Sequence, residues 1–283
     1  MVCYMKILIT GGNGNLATIL KNGLNTEHEV DAPGRNEMNL LDLEHVKDYF
    51  ADKEYDVVIH TAIQGGRRTR PDTHEDVYNN LLMFENLMLF KDKFKMFLNL
   101  DSGATCDRES DIYLRKEDDL FSVPKDFYGF SKYMIYQRGM SHDNFYNLRI
   151  FNIFHETEES DRFISRCVNV AKDGGQVEIF ENKYFDFFYK DDFVEVVKYY
   201  IRQLDYFKNS LSTMKCHVPK TLNLSYEEKH TLADIAKMIL GEDSDKVMVH
   251  KDVCDKNYCG DGELLLKLDV ELKGIQYGIH NYA

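Results

Sequence analysis

Residues 6–20 read KILITGGNGNLATIL. Lys6–Thr10 is a short apolar run of strand character. After Gly11, Gly12 and Gly14 comes Leu16–Leu24, in which Leu16, Ile19, Leu20 and Gly23 share one helical face. Glycine between a strand and a helix has a geometric purpose. A tight turn needs positive φ, and a pyrophosphate reaches a helix N-terminus only where no Cβ intervenes. Ala17 takes the third small position, where helix packs on strand. The spacing therefore predicts a dinucleotide-binding loop made of Gly11, Gly14, Asn15, Leu16 and Ala17. An ordinary glycine-rich turn is the alternative.

Outward from this loop the first half of the chain alternates. Glu29–Ala32, Asp56–Thr61, Phe94–Leu100 and Tyr146–Phe151 read as strands, and Leu43–Phe50, Val77–Phe90 and Tyr128–Met140 as helices. Such alternation with short links predicts an α/β fold, a Rossmann-type doubly wound parallel sheet with helices on both faces. The second half is less regular. Phe163–Ala171, Phe193–Leu204 and Thr231–Leu240 read as helices, and Gln176–Phe180, Leu222–Ser225 and Val247–Lys251 as strands.

The 283 residues are enough for about two cores of ~150 residues. Apolar residues make up 43% and charged residues 29%, the balance of a soluble globular chain. A net charge of −13 repels phosphate backbones, so nucleic-acid binding is not expected. No apolar run reaches the roughly 20 residues that span a bilayer. The start MVCYMKILITGG lacks the marks of a signal peptide. The six cysteines, at 3, 106, 167, 216, 254 and 259, form no CxxC and no His-paired metal motif. These features lead us to expect a cytoplasmic protein with reduced thiols, no metal site and no membrane partner.

The end of the second strand bears on the choice of dinucleotide. Residues 29–43 read EVDAPGRNEMNLLDL, and Arg35 is the side chain best placed after the turn. A guanidinium suits a 2′-phosphate, which points to NADP. Asp31, if it were the ribose-binding acid, would favour NAD. Asp42 and Leu43 are expected to border the adenine.

Tyr128-Gly-Phe-Ser-Lys132 forms a YxxxK. Among 18 tyrosines a chance match is expected, and Tyr49…Lys53 is a second one. Context separates them: Tyr128 begins a helix downstream of the strand that carries Ser102, whereas Tyr49 ends a helix near no strand end. Residues four apart share a helix face. A lysine ammonium there is expected to lower the phenol from its usual pKa of about 10. Such a tyrosine exchanges a proton with an alcohol oxygen while hydride moves at the attached carbon. Lysine can also hold the nicotinamide ribose. A serine upstream supplies a hydroxyl for the developing alkoxide.

TGGxGxxA at 10–17, DVVIHTA at 56–62, Ser102, Tyr128 with Lys132 and LRIFN at 148–152 together resemble the extended short-chain dehydrogenase/reductase family. More narrowly, they resemble its nucleotide-sugar epimerase, dehydratase and reductase branch. FDFFYKDDFVEVV at 185–197 is similar to that branch's RDFxxVDD segment. The resemblance implies Ser102, Tyr128 and Lys132 as the catalytic set, Thr61 and Ala62 as further cofactor contacts, and Asn152 near nicotinamide and substrate phosphates. It implies a dinucleotide domain from 1–152 and 186–208, and a smaller C-terminal α/β substrate-binding region from 153–185 and 209–283. It also implies a homodimer through Val77–Phe90 and Tyr128–Met140.

The chain departs from the family pattern at two places. Phe185 stands where an arginine often grips the diphosphate, and His155 replaces a common glycine. Asp191 and Asp192 are read as caps of the helix starting at Phe193. QGGRRTRPD at 64–72 carries three arginines. Gln64 and Arg67 there, with Arg162 and Arg166 further on, are candidates for the substrate.

Residues 99–107, NLDSGATCD, discriminate among reactions. Family 4,6-dehydratases place an Asp-Glu pair directly after the catalytic Ser/Thr, where this chain has Gly103 and Ala104. Neither transfers a proton. The GDP-fucose synthases use a cysteine at the position of Ala104. Here Cys106 lies two residues further on, where strand alternation would point it the same way, but it is expected to sit too far along to replace that base. The expected activity is NADP-dependent reduction of the 4-keto group of a nucleotide-linked deoxysugar. An NAD-dependent 4-epimerase and a non-catalytic NADP-binding sensor or scaffold remain open as alternatives.

Overall fold

The computed structural model describes residues 4–67, 70–209, 218–242, 245–252 and 256–282. Cys3, Cys216 and Cys254 lie outside the described residues. In chain order the first half contains β1 (Lys6–Thr10), α1 (Asn15–Leu24), β2 (Glu29–Asp31), α2 (Leu43–Phe50), β3 (Tyr55–His60), α3 (His74–Met88) and β4 (Phe94–Ser102). There follow β5 (Ile112–Arg115), α4 (Phe127–Gly139), β6 (Phe145–Ile150), β7 (Ile153–Phe154), α5 (Phe163–Asp173) and β8 (Val177–Ile179). The last part holds β9 (Phe188–Tyr189), α6 (Lys190–Asn209), β10 (Thr221–Leu224), α7 (Leu232–Leu240), β11 (Val247–Val249), β12 (Tyr258–Gly260), α8 (Glu263–Leu266) and α9 (Ile275–His280).

A six-stranded parallel sheet in the order β10-β6-β4-β3-β1-β2 forms the frame. Its central strands are apolar at successive positions because helices cover both faces. Ile7, Ile9, Val57 and Ile59 face α1 and α6, against Leu20, Phe193 and Val197. Leu8, Val58 and Phe97 point the other way, against Phe50 of α2, Phe84 of α3 and Ile135 of α4. From β1 the chain winds outward to β2, then returns to the other side of β1 as β3. That reversal opens a crevice beyond the carboxyl ends of β1 and β3, where doubly wound sheets bind ligands.

Thr221–Leu224 lies within the stretch that the resemblance gave to substrate binding, yet it is the edge strand of the central sheet, paired with β6. A second apolar cluster, with Phe154, Ile164, Phe187, Ile235 and Ile275, joins β7, β9, α5, α7 and α9 over one end of that sheet. The short pairs β8–β11 and β5–β12 complete this end.

Two helices begin earlier than their apolar periodicity indicates. At α3, Thr73 and Asp76 form a reciprocal capping box, which starts the helix at His74. Helix α6 starts at Lys190, so Asp191 and Asp192 lie in its first turn rather than before it. Asp192 is fully buried and accepts the Tyr226 phenol and the amides of Lys273 and Gly274. It pins the C-terminal segment to the start of α6, which goes beyond the capping role read from sequence. Cys106, Cys167 and Cys259 are buried free thiols.

Candidate active site

The glycine loop has the geometry that its spacing predicts. Gly11 has φ +68°, and a Cβ on Gly12 would lie 2.0 Å from the carbonyl oxygen of Ala32, so no side chain fits there. Gly14 is the N-cap of α1 and supplies no capping side chain, and the first turn holds no acid. The amides of that turn are left free for an anion. Ala17 is fully buried against the sheet, while Gly14 and Asn15 are exposed at the loop.

At the end of β2, Asp31 accepts the Tyr55 phenol at 2.6 Å. Arg35 is exposed and has no ion-pair partner among the described residues. Asp42 caps α2 by accepting the amides of Glu44 and His45, with exposed Leu43 beside it. Thr61 donates its hydroxyl to the Thr10 carbonyl at 2.7 Å, and the Thr61 and Ala62 amides donate to Thr10 Oγ1. These bonds fix the carboxyl end of β3 against β1.

Ser102 ends β4 and accepts the Ala104 amide at 3.2 Å. Asp126 caps α4 through the Gly129 amide and also pairs with Arg108. This sets Tyr128 and Lys132 on one face, with Lys132 Nζ 5.9 Å from the Tyr128 ring centre. The Lys132 ammonium donates to the Leu100 carbonyl. Burial pushes the Tyr128 phenol up to about 12, against the opposing hydrogen bond with Ser102 and the charge of Arg108. Lys132 is not among the groups that act most strongly on the phenol, so the lowering expected from it is not what sets the balance: burial prevails and Tyr128 stays protonated. Burial also pushes Lys132 down to about 8, with Asp101 opposing.

A pH profile follows from this. Lys132 carries its charge below about 8 and loses it as pH rises through that value. Turnover in the reducing direction should stay level through neutral pH and decline above about 8. In Lys132→Arg, which stays charged, the residual activity should keep no such decline. A profile for the unaltered enzyme that stays flat to pH 10 would contradict the assignment.

These groups line a cleft of about 650 Å³, which also takes in Asn15, Leu16 and Thr61 at one end and Asn152, Arg162 and Arg166 at the other. Arg162 donates to Asn152 Oδ1 at 2.8 Å and lies beside Glu158. The Glu158 carboxyl, pushed by burial to about 7, accepts the Tyr282 phenol at 2.9 Å. Gln64 is not among the cleft-lining residues: its side chain accepts from Asn79, and its backbone is clamped by buried Asn80. Arg67 is exposed, one residue past cleft-lining Gly66.

Cys106 does not reach the cleft. After Ser102 the chain leaves the strand for a 3-10 turn over Gly103–Cys106, which breaks the alternation that would have aimed the thiol at substrate. The thiol packs with Ile112 and Phe151, and burial pushes its pKa up. Phe185 packs on Phe187 and Tyr258. His155 is buried, with Nδ1 3.0 Å from the Thr157 hydroxyl. Sequence reading missed Arg108 and Tyr258, both in the cleft wall. Neither sits in a motif, and Tyr258 arrives from the irregular C-terminal part. Among the described residues no group of three or more His, Cys, Asp or Glu could hold a metal.

No curated protein matches the chain in sequence. Solved structures match it over nearly its full length. WbmG from Bordetella bronchiseptica, in complex with NAD and UDP, aligns with a TM-score of 0.78 at 19% identity, covering 99% of this chain and 93% of that one. The dTDP-4-dehydrorhamnose reductase of Bacillus anthracis, in complex with NADP, gives 0.77 at 14% identity, covering 100% and 98%. The GDP-mannoheptose C4 reductase MlghC of Campylobacter jejuni, with NADP bound, gives 0.75 at 18%, covering 98% and 96%. At such identities the likeness speaks for the fold. The family rests on sequence: the model of the NAD dependent epimerase/dehydratase family matches residues 7–210, from the strand before the glycine loop to the end of α6. With that match over most of its length, the chain belongs to the NAD dependent epimerase/dehydratase family.

Proposed function

We propose that the protein reduces the 4-keto group of a nucleotide-linked deoxysugar with NADPH. The observation that carries this reading is a protonated Tyr128 grouped with Ser102 and Lys132, beside Gly103 and Ala104, which offer no proton-transfer group. NADPH, when bound, would supply the hydride. Tyr128 gives its proton to the carbonyl oxygen, Ser102 donates a hydrogen bond to that oxygen as charge develops, and Lys132 holds the nicotinamide ribose. The amides after Gly14 take the pyrophosphate. Arg162, oriented by Asn152, faces the substrate diphosphate from the far end of the cleft. Two of the structurally similar proteins are C4 or 4-keto-sugar reductases with NADP bound, which supports the reading.

Residues 1–152 and 186–208 would hold the dinucleotide. Residues 153–185 and 209–283 would hold the sugar nucleotide while lending β10 to the sheet. A homodimer would use the apolar side chains that α3 and α4 expose, Tyr78, Phe127 and Met134.

NADPH oxidation followed at 340 nm over a panel of nucleotide-4-keto sugars tests the activity. Consumption of NADPH with at least one of them supports the reading. Interconversion of C4 epimers without net consumption would instead identify a 4-epimerase.

Cofactor choice has its own test. Exposed Arg35, without an ion-pair partner among the described residues, would take a 2′-phosphate, whereas Asp31 already accepts Tyr55. A hydrogen bond to a charged group contributes about 1.5–3 kcal/mol, so Arg35→Ala should reduce the preference for NADPH over NADH by roughly tenfold to a hundredfold. An unchanged ratio of kcat/KM values would transfer the choice of cofactor to Asp31.

A further inference from the structure

The C-terminal part of the chain returns one hydroxyl to the reaction centre. Strand β12 pairs with β5, and this sets the Tyr258 phenol oxygen 3.4 Å from Ser102 Oγ. The ring meets Phe151 edge-on, with centres 5.3 Å apart, and Phe185 at a tilt of 38°, with centres 5.2 Å apart. Its backbone is fixed as well. The Tyr258 amide donates to the Tyr184 carbonyl, and the Tyr258 carbonyl accepts the Asp186 amide. Two residues on, the Gly260 amide donates to the Asp186 carboxylate, which Lys229 neutralises.

Gly103 is what admits this ring. A Cβ there would come within 2.9 Å of Tyr258 Cζ and 2.5 Å of Phe151 Cδ1. The position that looked inert in the sequence is therefore occupied in space by a phenol from 155 residues downstream.

A serine hydroxyl has one proton and two lone pairs. The Ala104 amide fills one lone pair of Ser102. We propose that Tyr258 is a positioning residue: its phenol donates to the second lone pair, so the Ser102 proton is left for the Tyr128 side of the cleft and for the substrate oxygen that Tyr128 protonates there. Burial keeps the Tyr258 phenol protonated, so it remains a donor and adds no base to the site. The kinetic consequence rests on the reductase reading; the hydrogen bond itself does not.

Tyr258→Phe keeps the ring and removes only the hydroxyl. Its kcat should fall about tenfold, the effect of one hydrogen bond that matters in the transition state, with KM for the sugar, NADPH affinity and melting temperature unchanged. In a Ser102→Ala background the same substitution should have no further effect. An unchanged kcat in Tyr258→Phe, or an equal loss in both backgrounds, would overturn the proposal.

A second measurement needs no substrate. In protein carrying 13Cζ-labelled tyrosine, the resonance missing from Tyr258→Phe is that of Tyr258. It should move upfield in Ser102→Ala, as a phenol does on losing its acceptor. A resonance that stays in place overturns the proposal even if no sugar is ever turned over. Absence of turnover by the unaltered protein counts against the reductase reading alone.

Discussion

Tyr128→Phe should lower kcat for reduction of a nucleotide-4-keto sugar by about 10³-fold, within the roughly 10²–10⁴-fold range for loss of a general acid. The loss should fall on chemistry and not on binding. The ring keeps its place near Arg108, 5.8 Å from the guanidinium, and next to Gly66 in the loop after β3. NADPH affinity should therefore stay within about twofold, since a residue acting only in the transition state leaves ground-state binding alone. Single-turnover absorbance at 340 nm gives the first quantity and fluorescence titration of NADPH the second. A variant that keeps a tenth or more of the normal rate would remove Tyr128 from the role assigned to it.

Arg149→Leu should be the most damaging substitution to stability. Arg149 and Asp101 are fully buried side chains, and Nε donates to the carboxylate at 3.2 Å. The carboxylate also accepts from Asn147 at 2.9 Å and Thr105 at 2.6 Å, and Arg149 reaches the Glu117 carbonyl and Asn223. This network links β4, β6 and β10 beneath Ser102. Removing the cation strands a buried carboxylate, a change that destabilises by about 3–5 kcal/mol. For a chain of this size that corresponds to a fall in Tm of roughly 10 °C. Adding Asp101→Asn should recover part of it, because the stranded charge is then gone. A Tm for Arg149→Leu within a degree or two of normal would show that the pair carries little of the fold's stability.

The sequence was most legible where physical requirements are local. A glycine loop between an apolar run and an amphipathic run fixes β1, the start of α1 and the tight turn between them within twenty residues. The YxxxK spacing placed Tyr128 and Lys132 on one face because helix periodicity dictates it. Legibility fell where the cause lies far along the chain. Nothing near Thr221 indicates that it will extend the central sheet beside β6, because strand order is a tertiary property. Tyr258 has no motif around it and acquires meaning only when β12 docks on β5. The direction that alternation gives Cys106 fails for a local reason: alternation holds only while the strand lasts, and the strand ends at Ser102. For Tyr128, spacing gave the neighbour correctly but not the balance, since burial outweighs the Ser102 hydrogen bond and the Arg108 charge, and Lys132 is not among the main influences.

These findings also change how Gly103 and Ala104 are read. Both lack proton-transfer chemistry, and this still argues against elimination of water. But Gly103 has a structural reason to be small, since the Tyr258 and Phe151 rings occupy its flank. Around Ser102 the hydroxyl thus has the Ala104 amide on one side and the Tyr258 phenol on the other.

The most direct test of hydride transfer to the sugar uses NADPH carrying deuterium at the transferable C4 position of the nicotinamide, incubated with protein and a nucleotide-4-keto sugar. The account predicts one equivalent of NADP⁺ per sugar and a product with deuterium at its C4, read by NMR. A C4 epimer formed without deuterium and without loss of NADPH would contradict it.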